Sequence, residues 1–303
     1  MYIGELAATG TAIFWAFSSL FFTLGGKRVG ADSVNIIRLY FGMLFIVIVQ
    51  LSTTGVPGDF SVESWRHAVL FASAFVGLVI GDGALFYSFV LIGPRLSMLV
   101  MSIVPVFCAI FALICFGEWL SGLEWLAILS AIAAIGYVVV EDRGQPNKTD
   151  TAASKDYFNG IMLAVVGALG QTGNLIITKY ALVDDFSTLT ATQVRIFYSI
   201  LILTAWAIYR GQFLRIVKSM ADKKATLLIA AGALVGPFIG IWLSYIAINE
   251  TKVAIASVIM ATPPLLLIPI SWLWLNDRIT ARSIVGTVLA FAAIGILYLA
   301  KSP

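Results

Sequence analysis

The sequence predicts an all-α membrane protein in which ten transmembrane helices form two inverted-topology repeats of five. Three observations lead there. Of the 303 residues, 60% are hydrophobic and only 12% charged, too little polar surface to clothe a soluble domain of this length. Apolar runs of about 20 residues, the length that crosses a hydrocarbon core, recur along the whole chain. The chain also aligns with itself when displaced by about half its length.

The ten runs lie at about residues 4–24, 34–52, 67–91, 95–117, 120–140, 158–180, 190–209, 225–247, 252–275 and 279–300. They are apolar on every face, whereas barrel strands alternate over about 10 residues, so a transmembrane β-barrel is disfavoured. The first run follows "MYIG", with no basic leader, and is longer than a signal-peptide core. It is expected to stay in the mature protein. The second and seventh runs hold Arg38 and Arg195 near their starts, and snorkelling to the headgroups is the better reading of both, ahead of binding a substrate carboxylate. The third contains "LVIGDGALFYSF" at 78–89, which places a carboxylate, Asp82, between Gly81 and Gly83. The fourth carries both cysteines, Cys108 and Cys115, too far apart along one helix to bond and best read as packing residues. After the fifth, "EDRGQPNKTDTAASKD" at 141–156 is the one long polar stretch and reads as a linker. The expected division is a first repeat at 1–141, a linker at 142–157 and a second repeat at 158–303.

Displacement by 159 sets "VGLVIG" at 76–81 on "VGPFIG" at 235–240, Pro105 on Pro264, Glu118 on Asp277, and "AAIG" at 133–136 on "AAIG" at 292–295. Displacement by 157 sets "RLYF" at 38–41 on "RIFY" at 195–198. Chance similarity of apolar runs does not put glycines, a proline, an arginine and a carboxylate in one order. Five spans is an odd number, so the second copy enters the bilayer from the opposite side. Such pairs are a recurrent basis for alternating access around a central site.

The tails of the two repeats, 86–140 and 243–300, resemble the EamA module of the drug/metabolite transporter superfamily. The shared pattern is a mid-helix proline (Pro105, Pro264), an acidic residue closing the fourth helix (Glu118, Asp277) and a glycine in the fifth (Gly136, Gly295). The resemblance covers nearly the whole chain. It implies ten helices and secondary transport of small metabolites, often amino-acid or drug efflux, across the plasma membrane, with both termini in the cytoplasm. Asp277 departs from the usual glutamate. Loop charges point the other way: Arg66, Lys179, Lys252 and Lys301 fall on the side of the termini, and thirteen basic residues fall on the opposite side, which by the positive-inside rule is the cytoplasmic one.

Polar residues inside the spans are the candidate site, because an ionisable group there is costly and points to function. Asp82 matches Ile241 in the other repeat. The scaffold does not require a carboxylate at that position, and Asp82 is the candidate for proton coupling or for holding a substrate amine. Trp15, Ser18, Ser19 and Phe22 share one face of the first span, and Gln171, Asn174 and Thr178 one face of the sixth. These stripes line a path or hydrogen-bond neighbouring helices. Phe86, Tyr87, Trp242 and Tyr245 add aromatic surface near the expected midplane. Gly81, Gly83, Pro105, Gly240 and Pro264 are candidates for hinges or close helix packing. Glu118 and Asp277 read as caps of the fifth and tenth helices.

The sequence holds no Walker loop, Gly-rich dinucleotide turn or zinc spacing, so neither cofactor nor metal is expected. A small-molecule substrate, the lipid bilayer and a proton are the expected partners, with no nucleic acid, for a monomer or weak homodimer. An intramembrane protease would pair two catalytic groups on facing spans; here one carboxylate lies deep in a span and the one histidine, His67, at an edge. The sequence therefore points to a secondary transporter, with a channel-like pore or an intramembrane scaffold as the alternative.

Overall fold

The computed structural model describes residues 2–58, 60, 62–140 and 151–267, with 285–286, 288–289 and 292–293 beyond them. Most of the tenth run, Asp277, Gly295 and most of the linker lie outside the described residues. Described residues form helices and connecting turns. In chain order the helices are α1 (Ile3–Val29), α2 (Ala31–Thr54), α3 (Ser64–Ala74), α4 (Asp82–Met101), α5 (Val104–Phe116), α6 (Gly122–Val140), α7 (Thr151–Ala181), α8 (Thr188–Tyr209), α9 (Phe213–Ser219), α10 (Lys223–Ala233), α11 (Ile241–Glu250) and α12 (Val253–Met260). Among the described residues six stretches are long and apolar enough to cross a membrane: Ile3–Val29, Ala31–Thr54, Ser64–Gly93, Asp156–Ala181, Thr188–Tyr209 and Lys223–Glu250. Val104–Phe116, Gly122–Ala134 and Val253–Leu267 are shorter apolar helices.

Two of the long stretches widen at matched positions. A π-helical segment, Phe75–Gly81, joins α3 to α4, and another, Leu234–Gly240, joins α10 to α11. The amide of Asp82 donates to the Gly77 carbonyl and that of Ile241 to the Gly236 carbonyl, so both exits have the same wide turn, 159 residues apart. In the second, Pro237 has no N–H to give, and an α-ladder cannot run through it. The first has no proline, but its glycines admit a neighbouring backbone. A Cβ on Gly170 of α7 would lie 2.5 Å from the Gly81 Cα and 2.9 Å from the Val76 carbonyl oxygen.

The expected fourth run is also broken, for the same reason in both halves. α4 bends at Gly93, whose φ of 78° suits only glycine, and ends before a turn at Ser102 and Ile103. Pro105 then sits buried in the first turn of α5, where its missing N–H costs nothing. In the second half α12 ends at Met260, and Pro264 follows Pro263 in the first turn of the next helical stretch. Both prolines start helices. The expectation of mid-helix prolines is corrected on this point.

The halves interlock. α1 lies along α10, the second π segment and α11, while α7 lies along α3, the first π segment and α4. Small residues make the approach possible: Cβ atoms on Gly236 and Gly240 would strike Ser18 and Trp15, at 2.3 and 2.8 Å. Gly170→Ala is therefore expected to destabilise the fold by about 1–3 kcal/mol, and Gly170→Leu to abolish a monodisperse species on gel filtration. Gly122→Ala serves as control, because nothing lies within 4 Å of that position.

Caps set the helix ends. Ser121 and Glu124 form a reciprocal capping box for α6, at 2.6 and 3.2 Å. Asp222 caps α10 through the Ala225 amide at 3.1 Å and accepts from Arg28 at 2.8 Å. Its carboxyl lies below the usual carboxylate value, first because of the Arg28 hydrogen bond and then the Ala225 amide. A depressed folded-state pKa means that its contribution is present above the unfolded value of about 3.9 and is lost as pH falls through the folded one. Thermal unfolding followed downward from pH 6 should show wild type losing its advantage over Asp222→Asn below about pH 4.

Candidate substrate cavity

Asp82 starts α4 directly after the wide turn, with Phe86 and Phe89 on the same face four and seven residues later. Facing them are Trp15, Ser18, Ser19 and Phe22 of α1, Gln171 and Asn174 of α7, and Gly236, Pro237 and Ile241 at the matching turn of the second half. They enclose a cavity of about 110 Å³, closed in further by Met98, Met101, Val104, Ser257, Met260 and Pro264. A single water needs only about 10–15 Å³ on this measure, so the space suits a solute.

Asp82 is not alone. Arg38 Nη2 donates to Asp82 Oδ2 at 2.8 Å and to Asn35 Oδ1 at 2.7 Å, and its guanidinium stands 4.7 Å from the Phe86 ring centroid. The Arg38 side chain is 3% exposed and that of Asp82 22%. The snorkelling reading of Arg38 and Arg195 is thus corrected. Each lies seven residues into its helix, about 10 Å along the axis, and both are buried. Arg38 lines the cavity wall beside Asp82.

Both ends of the bundle carry charged ties between the halves: at the far end Arg28, in the last turn of α1, meets Asp222 at the start of α10. At the end holding the start of α1, here the near end, charged residues tie the halves together. Lys179 pairs with Glu118, whose other oxygen accepts from the Val253 amide at 2.9 Å. Lys252 bonds Glu124 at 2.8 Å and the Trp119 carbonyl at 3.0 Å. Arg66 joins Glu63, the Val183 carbonyl and Asp184, and Gln50 bonds Gln193 at 2.8 Å. Glu118 thus caps α12 rather than α6, a correction to the expected cap. Towards the far end, Phe22, Phe86 and Phe89 separate the cavity from a second hollow lined by Thr23, Gly26 and Lys27. Phe86 meets Phe22 and Phe89 edge-on at 5.5 and 5.7 Å.

The remaining predicted residues fall elsewhere. Tyr87 turns away, 45% exposed, with its hydroxyl on Asp32 at 2.7 Å, because it lies about 100° round the helix from Phe86. Trp242 is half-buried and donates to Thr188 at 3.0 Å. Tyr245 is fully buried and donates to Asn174 Oδ1 at 3.2 Å, one layer behind the wall. Gly81 packs on Gly170, Gly240 on Trp15, and Gly83 faces Asn35. Ser18 donates to the Gly232 carbonyl at 3.2 Å and Ser19 to that of Ala16 at 2.8 Å. Gln171 accepts from Asn174, while its Nε2 has no protein partner among the described residues.

The EamA-like transporter family model matches residues 2–140 and again residues 158–299. The chain belongs to the EamA-like transporter family. It is accordingly a multi-pass membrane protein built from two copies of the EamA unit. No curated protein sequence matches it, whereas 28 chains of solved structures do. One, titled "Crystal structure of protein", superposes with a TM-score of 0.72 at 14% identity, over 98% of this chain and 96% of the other. That likeness is one of fold. Arg38 is a member of the cavity wall that sequence reasoning misplaced, because α2 starts at Ala31 rather than at the expected residue 34 and so carries Arg38 deeper.

Proposed function

We propose that this EamA protein is a secondary transporter of the plasma membrane, exporting small metabolites such as amino acids or related amphipathic solutes. It works as a monomer or weak homodimer, by alternating access between two inverted five-helix repeats, 1–141 and 158–303, joined by the 142–157 linker. The observation that carries this reading is a cavity between interlocked halves that is barred at the near end by ion pairs and parted from a hollow towards the far end by the rings of Phe22, Phe86 and Phe89. A channel-like pore would need openings at both ends at once.

In this scheme the apolar wall of Trp15, Phe86 and Phe89 takes the hydrophobic part of the solute, and the Gln171 amide and Asp82 take its polar part. Proton uptake by Asp82 would break its pair with Arg38, coupling charge to conformation. The wide turns at Gly81 and Gly240, Gly83 beside Asp82, and the helix starts at Pro105 and Pro264 are the hinge positions. Counterflow in proteoliposomes against a metabolite library tests the scheme. Saturable exchange of at least one small amphipathic solute is expected, and flux that fails to saturate with concentration would contradict it.

A further inference from the structure

Arg38 and Arg195 hold matching places in the two repeats, but their surroundings differ. Arg38 has a carboxylate; at the place matching Asp82 the second half has Ile241. Arg195 is 0% exposed. Its Nη2 donates to the Ser73 carbonyl at 3.2 Å, and its guanidinium lies 5.0 Å from the Tyr245 ring centroid. Its Nε and Nη1 are buried without a partner, and among the described residues no carboxylate lies within ion-pair distance of it; Asp82, already paired with Arg38, acts on it only from farther off. A guanidinium left this way inside a membrane protein is costly unless an anion meets it.

The cavity is one side chain away. Asn174 lines the cavity wall and accepts from the Tyr245 hydroxyl. Both residues press on Gly77, where an added Cβ would lie 2.7 Å from Asn174 Cβ and 3.2 Å from Arg195 Nη2. With the cavity directed to the far end, Arg38 lines it and Arg195 is covered. If the halves exchange shapes, as the alternating-access reading on which this inference rests requires, Arg195 takes the exposed place and Arg38 the covered one.

We infer that Arg195 is a docking cation for a carboxylate group of the transported solute, reached when the cavity opens at the near end. The asymmetry then has a purpose. Asp82 neutralises the arginine of the far-facing site, and the solute's own carboxylate neutralises that of the near-facing site. Gln171 and Asn174, between the two, offer amides to the same group as it passes.

Acetate and acetamide are matched probes, equal in shape and different in charge. Acetate at tens of millimolar, against chloride of equal ionic strength, should raise the unfolding temperature of the purified protein by about 2–4 °C. Acetamide should leave it unchanged. Arg195→Gln should abolish the acetate response and, without ligand, unfold no earlier than wild type, since it removes a buried charge that no ion pair meets. Arg195→Lys should keep part of the response. An acetate response that persists in Arg195→Gln, its absence from wild type, or failure of Arg195→Gln to fold would overturn the assignment. These readouts involve no transport. Acetate binding without any counterflow would sink the transporter reading and leave the anion site standing, whereas counterflow unaffected by Arg195→Gln would do the reverse.

Discussion

Asp82→Asn is expected to stop concentrative transport while leaving solute exchange measurable. The substitution keeps the side chain's size but strands the Arg38 guanidinium, which is 3% exposed. Breaking a buried pair by removing one partner costs about 3–5 kcal/mol; the partial exposure of Asp82 and the Asn35 hydrogen bonds place this case near the lower figure. The unfolding temperature should fall, and Arg38→Gln in the same chain should recover most of the loss. Uptake driven by an imposed pH gradient would disappear in Asp82→Asn while counterflow continues. Unchanged accumulation with unchanged pH dependence would make Asp82 structural and end the coupling hypothesis.

The second large effect is expected at the near end. Glu118 and Glu124 belong to the first half and their partners Lys179 and Lys252 to the second, so these two pairs close one end of the path and no other. The Glu118 and Lys179 side chains are 13% and 21% exposed, more sheltered than the ordinary surface pair that contributes little. If each pair holds the closed end by about 1.4 kcal/mol, removing both shifts the balance between end-open states about a hundredfold. The double variant Glu118→Gln, Glu124→Gln should therefore favour the state open at the near end, at a cost in stability because the Val253 and Ser121 amides keep only neutral acceptors. Solvent accessibility of Gln171 and Asn174 from that end, read by labelling of cysteines placed there, should rise steeply. No change would mean that packing, not charge, closes the end.

Much of this was legible in the sequence, for reasons that can be named. The repeat of "VGLVIG" and "VGPFIG" marks the two wide turns, because close helix approach demands small residues wherever it occurs. Asp82 stands out because an apolar run has no other use for a carboxylate. Its partner did not, since nothing local ties residue 82 to residue 38; the pairing exists only once α2 and α4 are side by side. Phase was available for Tyr87, which helical geometry sets apart from the face of Asp82, Phe86 and Phe89. The capping box of Ser121 and Glu124 has the expected spacing of three, but in the sequence the nearby Glu118 reads as the cap in its place. The π geometry, the turn at Ser102 and Ile103 and the exchange of α1 and α7 between halves arise from tertiary packing, which a pattern of apolar residues does not encode.

The central claim is that one cavity is reached from one end at a time. Met101 lines it and takes no part in the ion pairs, so Met101→Cys, in a chain with Cys108 and Cys115 replaced, reports on access directly. Asp184→Cys, at the exposed near end, identifies which side of the membrane that is. With a membrane-impermeant maleimide applied to one side and then the other, Met101→Cys should react from the side opposite Asp184→Cys and stay protected from the same side, until Glu118→Gln and Glu124→Gln are added and the preference reverses. Equal reaction from both sides in the otherwise unaltered chain would show a continuous pore and contradict the account.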